Sequence, residues 1–251
     1  MLDPAAPQLV VNARTLLVSW LPADPDAVAA LLPPGLRARP DHQVFMNQYV
    51  VDDETQTSGF GAYSCTYLGV CLADIEPPMV GDAPGGWWCH YLASSPRVRA
   101  YAHARGAPAT AGETRIDVRG DRLVAETLVD GVPLIRSVAR VGDTGNRVFS
   151  GHHRYLTVRD GERIAVDYPF VSEPVTPFEI ESVEFLSPGH PAHALRPANP
   201  LCIGGGFYSP RVSFAYPARP GALDDPSAAG AVPPAHHVPA RRARSGLPSG
   251  S

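Results

Sequence analysis

From Gln8 to Trp20 the chain is a run of Val and Leu broken by a few polar positions, and it reads as a strand entering a core. Asp24 as cap, Pro25 in the first turn, and Val28, Ala29, Leu31 and Leu32 ahead of Pro33-Pro34-Gly35 predict a short helix. Three more strands are predicted over Val44 to Val51, Gly61 to Ile75 and Gly86 to Ala93, each dense in aromatic or β-branched residues and bounded by Asp, Gly, Ser and Pro. Ser95-Pro96 opens a second helix carrying Val98, Tyr101 and Ala104, which Gly106 ends. Beyond Gly112 short runs repeat over Thr114 to Val118, Leu123 to Val129, Leu134 to Val141, Tyr155 to Val158 and Arg163 to Asp167. Gly120-Asp121, Asp130-Gly131 and Asp160-Gly161 supply their hairpin turns. Phe178 to Phe185, Leu201 to Phe207 and Arg211 to Tyr216 complete the set. About ten strands and two or three short helices predict a mainly β (α+β) fold over residues 1–216, an antiparallel barrel or cone closing around a pocket.

After Pro217 the pattern stops. Seven prolines fall in 35 residues, with Ala, Gly, Ser and an Arg241-Arg242-Ala243-Arg244 cluster, so 217–251 is expected to be a disordered tail. With 44% hydrophobic and 18% charged residues the remainder suits a compact core, while 28 prolines and 23 glycines argue against long helices. A net charge of −4 and a pI near 6.1 give no general pull toward nucleic acid or anionic lipid, so neither is expected as a partner. The four cysteines show no CxxC spacing and no apolar run approaches 18 residues. The expectation is a reduced, cytoplasmic protein without a spanning helix. His103 and His152-His153 lack metal-ligand spacing, so no metal is expected. All 21 basic residues are arginine and none is lysine, which removes every side-chain amine from carbonyl chemistry in these 251 residues.

Candidate chemistry sits on the first strands. By period-two alternation Arg14 shares a face with Val10, Leu16, Val18 and Trp20; it is either an inward clamp for a carboxylate or oxyanion, or it faces away from a core built on Leu9, Val11 and Leu17. Tyr63, Cys65, Tyr67 and Cys71 fall on one face of the third strand and could line a cavity. The opposite face, Ser64, Thr66, Leu68 and Val70, suits packing against a helix. Asn47 and Gln48 are adjacent, so only one of them can face an interior. In Gly85-Gly86-Trp87-Trp88-Cys89-His90-Tyr91 strict alternation groups Trp88, His90 and Leu92 against Trp87, Cys89 and Tyr91. His90 is the candidate acid or base, and Trp87 or Trp88 the candidate substrate wall. Asp52-Asp53-Glu54 reads as a solvated loop, and Gly204-Gly205-Gly206 as a bulge or close approach.

Several strings in this order, Asn12-Ala13-Arg14, Leu31-Leu32-Pro33-Pro34-Gly35-Leu36, Thr57-Ser58-Gly59-Phe60-Gly61-Ala62-Tyr63, and Tyr91-Leu92 before the Pro96 helix, resemble the acetoacetate decarboxylase family from about Gln8 to Tyr216. The resemblance implies a β-cone around a substrate cavity, Arg14 as substrate-orienting arginine, and a small-molecule substrate in a possible homo-oligomer. It also implies a catalytic lysine where this chain has Pro108-Ala109-Thr110, and supporting glutamates where it has Cys65 and Asn47. Imine chemistry is therefore out of reach here. The expected function is a cofactor-independent lyase, cyclase or isomerase on a keto-acid, β-dicarbonyl or polyketide-like substrate. Arg14 would hold the oxyanion, Tyr63, Tyr67 or His90 would move the proton, and Asn47, Gln48, Cys65, Trp87, Trp88 and Ala109 would line the substrate. The alternatives are a non-catalytic ligand-binding protein and an imine-independent decarboxylase.

Overall fold

The computed structural model describes residues 2–73, 75, 83–145, 147–159, 161–218 and 221–222. Its strands are β1 (Gln8–Trp20), β2 (Val44–Val51), β3 (Tyr63–Cys71), β4 (Ala83–Ala93), β5 (Ala109–Ala111), β6 (Glu113–Arg119), β7 (Arg122–Val129), β8 (Val132–Thr144), β9 (Phe149–Arg159), β10 (Glu162–Ser172), β11 (Val175–Phe185), β12 (Ile203–Tyr216) and β13 (Gly221–Ala222). The helices are α1 (Pro25–Ala29) and α2 (Pro96–Ala104), with 3-10 turns at Glu54–Gln56 and Pro191–Leu195. Asp24 and Ser95 cap the helices and proline opens both, as their sequences predict.

Seven strands close into a barrel in the order β12, β1, β2, β3, β4, β9, β10 and back to β12, and β5 and β13 extend it. The barrel is mixed rather than antiparallel, because β4 runs parallel to both β9 and β5. A separate antiparallel sheet, β11-β8-β7-β6, lies against it. Asp130 and Gly131 both take positive φ in the β7–β8 turn, which fits a tight hairpin matched to strand twist. Leu201 to Phe207 and Arg211 to Tyr216 are one strand, and β13 falls inside the segment expected to be a tail; the rest of that segment lies outside the described residues.

Two irregularities decide which side chains face the lumen. Asn12, at φ 54°, interrupts the β1–β12 register between Val10 and Ala13. Val10 and Ala13 therefore join the barrel interior, whereas Leu16, Val18 and Trp20 lie in the two outer clusters shared with the second sheet. On β4, Leu68 pairs with His90 and Gly69 with Trp88, leaving Cys89 as the extra residue of a bulge. Trp88 and Tyr91 thus share the inner face, and His90 and Leu92 turn outward. The outer faces of β1 to β4 pack against the second sheet, not a helix. Leu16, Met46, Leu68, Val70 and Leu92 meet Ile116, Leu123, Ile135, Ala139 and Val183 there.

The shortest ladders of the ring are β10–β12, paired over Phe170–Ser172 and Val212–Phe214 before separating, and β4–β9, paired at Ala83, Gly86 and Trp87. In the glycine run, a Cβ on Gly206 would come within 2.5 Å of Leu17 O, and the β1–β12 register shifts between Gly205 and Ile203. Both the close approach and the bulge expected there are present.

Candidate functional site

The lumen is aromatic. Thr15, Asn47, Tyr49, Tyr67, Trp88, Tyr91, His153, Tyr155, Tyr168, Phe170, Phe207 and Tyr216 are among the residues lining a cavity of about 30 Å³, room for little more than a water molecule. His153, Phe170 and Phe207 also line a second hollow of about 400 Å³, bounded by Leu17, Phe149, Gly151, Ser172 and Gly206 where β10 and β12 part. That volume lies in the range of small-molecule sites, so the lumen has an anteroom and a three-residue doorway. His153 stacks on Phe170 with ring centroids 4.5 Å apart.

Hydroxyls inside form two groups. Tyr49 lies 3.1 Å from Tyr63 and 3.0 Å from Tyr216, and Tyr216 lies 3.0 Å from Tyr91. Asn47 Nδ2 donates to Tyr67 Oη at 2.6 Å, and Tyr67 and Tyr155 share a hydrogen bond of 2.8 Å. Burial raises the pKa of every one of these phenols, that of Tyr216 to about 12. They are therefore neutral donors at physiological pH. Two residues of the wall each keep a buried side-chain atom with no hydrogen-bond partner: Asn47 Oδ1, an acceptor, and Trp88 Nε1, a donor. A buried polar atom left unpaired is costly, so an orphan donor and an orphan acceptor on residues of one cavity wall are points that a molecule carrying both functions would relieve.

Of the residues singled out in the sequence, Asn47, Tyr67 and Trp88 reach the cavity wall. Tyr63 and Cys65 face the barrel interior behind it. Burial pushes the Cys65 thiol up to about 12, which suits a packed thiol and not a nucleophile.

The other candidates lie elsewhere. Arg14 points to the outer side of β1, where Nε and Nη2 hold Asp52 at 2.8 and 2.5 Å and Nη1 donates to Ile116 O. Its expected clamp role fails on geometry: the kink at Asn12 assigns positions 14, 16 and 18 to the outer face. His90 also turns outward, 5.8 Å from the His190 ring, and burial with that neighbour lowers its pKa to about 4. Gln48 is fully buried between the sheets, donating to Thr127 Oγ1 and accepting from Ser137 Oγ. Trp87, paired with Val70, takes the outward position next to Trp88, and Ala109 pairs with Tyr91 behind the cavity wall.

His153, Tyr155, Tyr168, Phe207, Phe214 and Tyr216 were missed as lumen residues. Their one sequence signal is the period-two spacing of aromatics on each strand, as in His153 and Tyr155, or Tyr168 and Phe170. Barrel closure brings these pairs together.

No family profile matches the sequence, and no curated protein does. Solved structures do match. A structure of acetoacetate decarboxylase superimposes with a TM-score of 0.61 at 15% identity, over 86% of this chain and 90% of that one. The fold is that of acetoacetate decarboxylase. The enzyme of that name from Legionella pneumophila gives 0.56 at 17% identity, over 89% and 90% of the two chains. The enduracididine biosynthesis enzyme MppR, in complex with pyruvate, gives 0.59 at 14%, over 90% and 93%. The cone around a cavity that the sequence strings implied is present, closed by seven strands.

Proposed function

We propose that this acetoacetate decarboxylase-like barrel is a cofactor-independent enzyme that isomerises or cyclises a keto-acid, β-dicarbonyl or polyketide-like small molecule. One observation carries the reading: two residues of one cavity wall, Trp88 and Asn47, each keep a buried polar atom without a partner, an N–H donor and a carbonyl acceptor. The enol of a β-dicarbonyl offers the matching pair, a carbonyl oxygen for Trp88 and a hydroxyl for Asn47. Structural likeness to enzymes of small carbonyl compounds agrees with it.

His153 is the lining residue whose ordinary pKa lies near neutrality, and it stands at the doorway. In the proposed step its imidazole takes a proton from the carbon between two carbonyls, and the electron pair moves onto the oxygen held by Trp88. The enolate carbon then bonds to a second carbonyl, or is reprotonated elsewhere, and His153 returns the proton. Atoms and charge balance within the substrate. Neutral donors of the lumen wall take the place expected of Arg14 in stabilising the enolate.

A second reading, a ligand-binding protein without turnover, is favoured by the lining itself. Among the described residues no carboxylate or guanidinium lines the cavity, and His153 apart, its titratable groups are phenols held neutral by burial. Proton NMR in D₂O of acetylacetone and ethyl acetoacetate, with wild type, His153→Gln and Trp88→Phe, separates the two. Protein-dependent deuterium exchange or ring closure lost in His153→Gln supports the enzyme. Saturable line broadening without exchange supports the binder, and an inert panel refutes the β-dicarbonyl class.

A further inference from the structure

Arg105 follows α2 and is only 3% exposed. Its Nη1 donates to Pro4 O at 3.0 Å and to Tyr101 Oη at 2.9 Å, with Cζ 5.1 Å from the Tyr101 ring centroid. Nε and Nη2 are buried with no partner. Among the described residues no carboxylate forms an ion pair with this guanidinium; Asp3, on the same N-terminal segment as Pro4, uses Oδ1 to cap Ala5 N.

The unpaired atoms are a defined edge of the side chain. In Arg14 the Nε/Nη2 edge holds both oxygens of Asp52, and in Arg154 the same edge holds both oxygens of Asp167. Side by side on a planar guanidinium, these two N–H groups match a carboxylate in bidentate geometry. Arg105 presents that edge in the interior, where an uncompensated cation is far costlier than at the surface. The Tyr101 ring that Arg105 lies over packs edge-on against Tyr216, which lines the lumen, with ring centroids 5.8 Å apart.

We propose that the Nε/Nη2 edge of Arg105 is a carboxylate-binding site beneath α2, behind the Tyr101–Tyr216 pair of the lumen wall. It takes a small organic acid. Two sources carry this chemistry: a free carboxylate such as acetate, and the acid end of a keto-acid substrate entering through the lumen; only the second rests on the function proposed above.

The test titrates wild type, Arg105→Gln and Trp88→Phe with sodium acetate, sodium levulinate and methyl levulinate against sodium chloride at equal ionic strength. Thermal midpoint is read throughout, and the ¹³C carboxylate linewidth for the two acids. The expected result is a midpoint rise and saturable broadening with the acids but not with chloride or ester, weakened at least tenfold in Arg105→Gln. Acetate binding that Trp88→Phe leaves unchanged identifies a free-acid site. Levulinate binding weakened by both substitutions identifies the substrate's acid end. If Arg105→Gln fails to fold, acetate broadening in wild type with no midpoint rise from the ester still supports the site. Equal response to acetate and chloride, or undiminished acid binding in a folded Arg105→Gln, overturns it, whatever becomes of the exchange assay.

Discussion

Gln48 holds the two sheets together, and its replacement tests the assignment of inner and outer faces. It is 0% exposed on the outer face of β2. Nε2 donates to Thr127 Oγ1 at 2.9 Å, Oε1 accepts from Ser137 Oγ at 3.0 Å, and Thr127 passes the chain on to Thr66 and Thr114 at 2.6 Å steps. Gln48→Leu keeps the bulk but removes two hydrogen bonds, each worth about 1 kcal/mol net, and leaves the Ser137 hydroxyl without its acceptor at a further cost of about 1 kcal/mol. Thr127 keeps Thr66 as partner and adds little. The expected loss is about 3 kcal/mol, seen as a lower urea midpoint at unchanged slope. Ser137→Ala alone orphans the Gln48 carbonyl and costs about 1 to 2 kcal/mol, whereas the double variant removes both partners and recovers at least about 1 kcal/mol relative to the sum. Strictly additive losses, or a Gln48→Leu protein of normal stability with altered ligand binding, would show that Gln48 faces the lumen after all.

Three further outcomes follow from the same geometry. Arg14→Met, removing a half-exposed ion pair, costs about 1 kcal/mol or less by urea unfolding and leaves deuterium exchange at wild-type rate; lost exchange at normal stability would refute its outward placement. Acid sensitivity traces in part to His90. Its folded pKa of about 4 lies below the ordinary 6.5, so the unfolded chain binds the extra proton first, and the stability held by the neutral form is lost as pH falls from about 6.5 to 4. Between pH 7 and 5 that removes about 2 kcal/mol, and His90→Gln should flatten this part of the urea-midpoint profile. Iodoacetamide at pH 8 should label the exposed Cys202 and spare Cys65, Cys71 and Cys89, whose thiols burial pushes up to about 12; intact-mass counting of adducts on the native protein decides it.

Most elements were legible in the sequence because their signals are local. Asp24 and Ser95 mark helix starts, paired turn residues mark hairpins, and alternation marks strands. What alternation cannot carry is a one-residue irregularity. The kink at Asn12 and the bulge at Cys89 each invert the faces beyond them, and they moved Arg14 and His90 from the expected lumen to the outer wall. Asn47 and Tyr67 were identifiable because β2 and β3 pair without irregularity around them, and Trp88 because it stands before the bulge that displaces its neighbours. His153, Tyr168 and Tyr216 were not, since they join the site through the parallel β4–β9 pairing and the β10–β12 closure, contacts between segments tens of residues apart. The orphan edge of Arg105 is likewise a product of tertiary burial.

The three-residue seam between β10 and β12 gives the barrel a clasp. A closed ring of strands resists widening everywhere at once, because each ladder must stretch for the circumference to grow. Here enlargement needs only a few backbone hydrogen bonds to part, beside the doorway of His153, Phe170 and Phe207. Compliance is concentrated at the ring's short ladders, so those amide hydrogens of Phe170–Ser172 and Val212–Phe214 that bond across the seam should exchange sooner than those of the β2–β3 ladder. A guest too large for the resting lumen would then be admitted by unbuttoning one edge, while Asn47, on the β2 side of the ring, keeps its position.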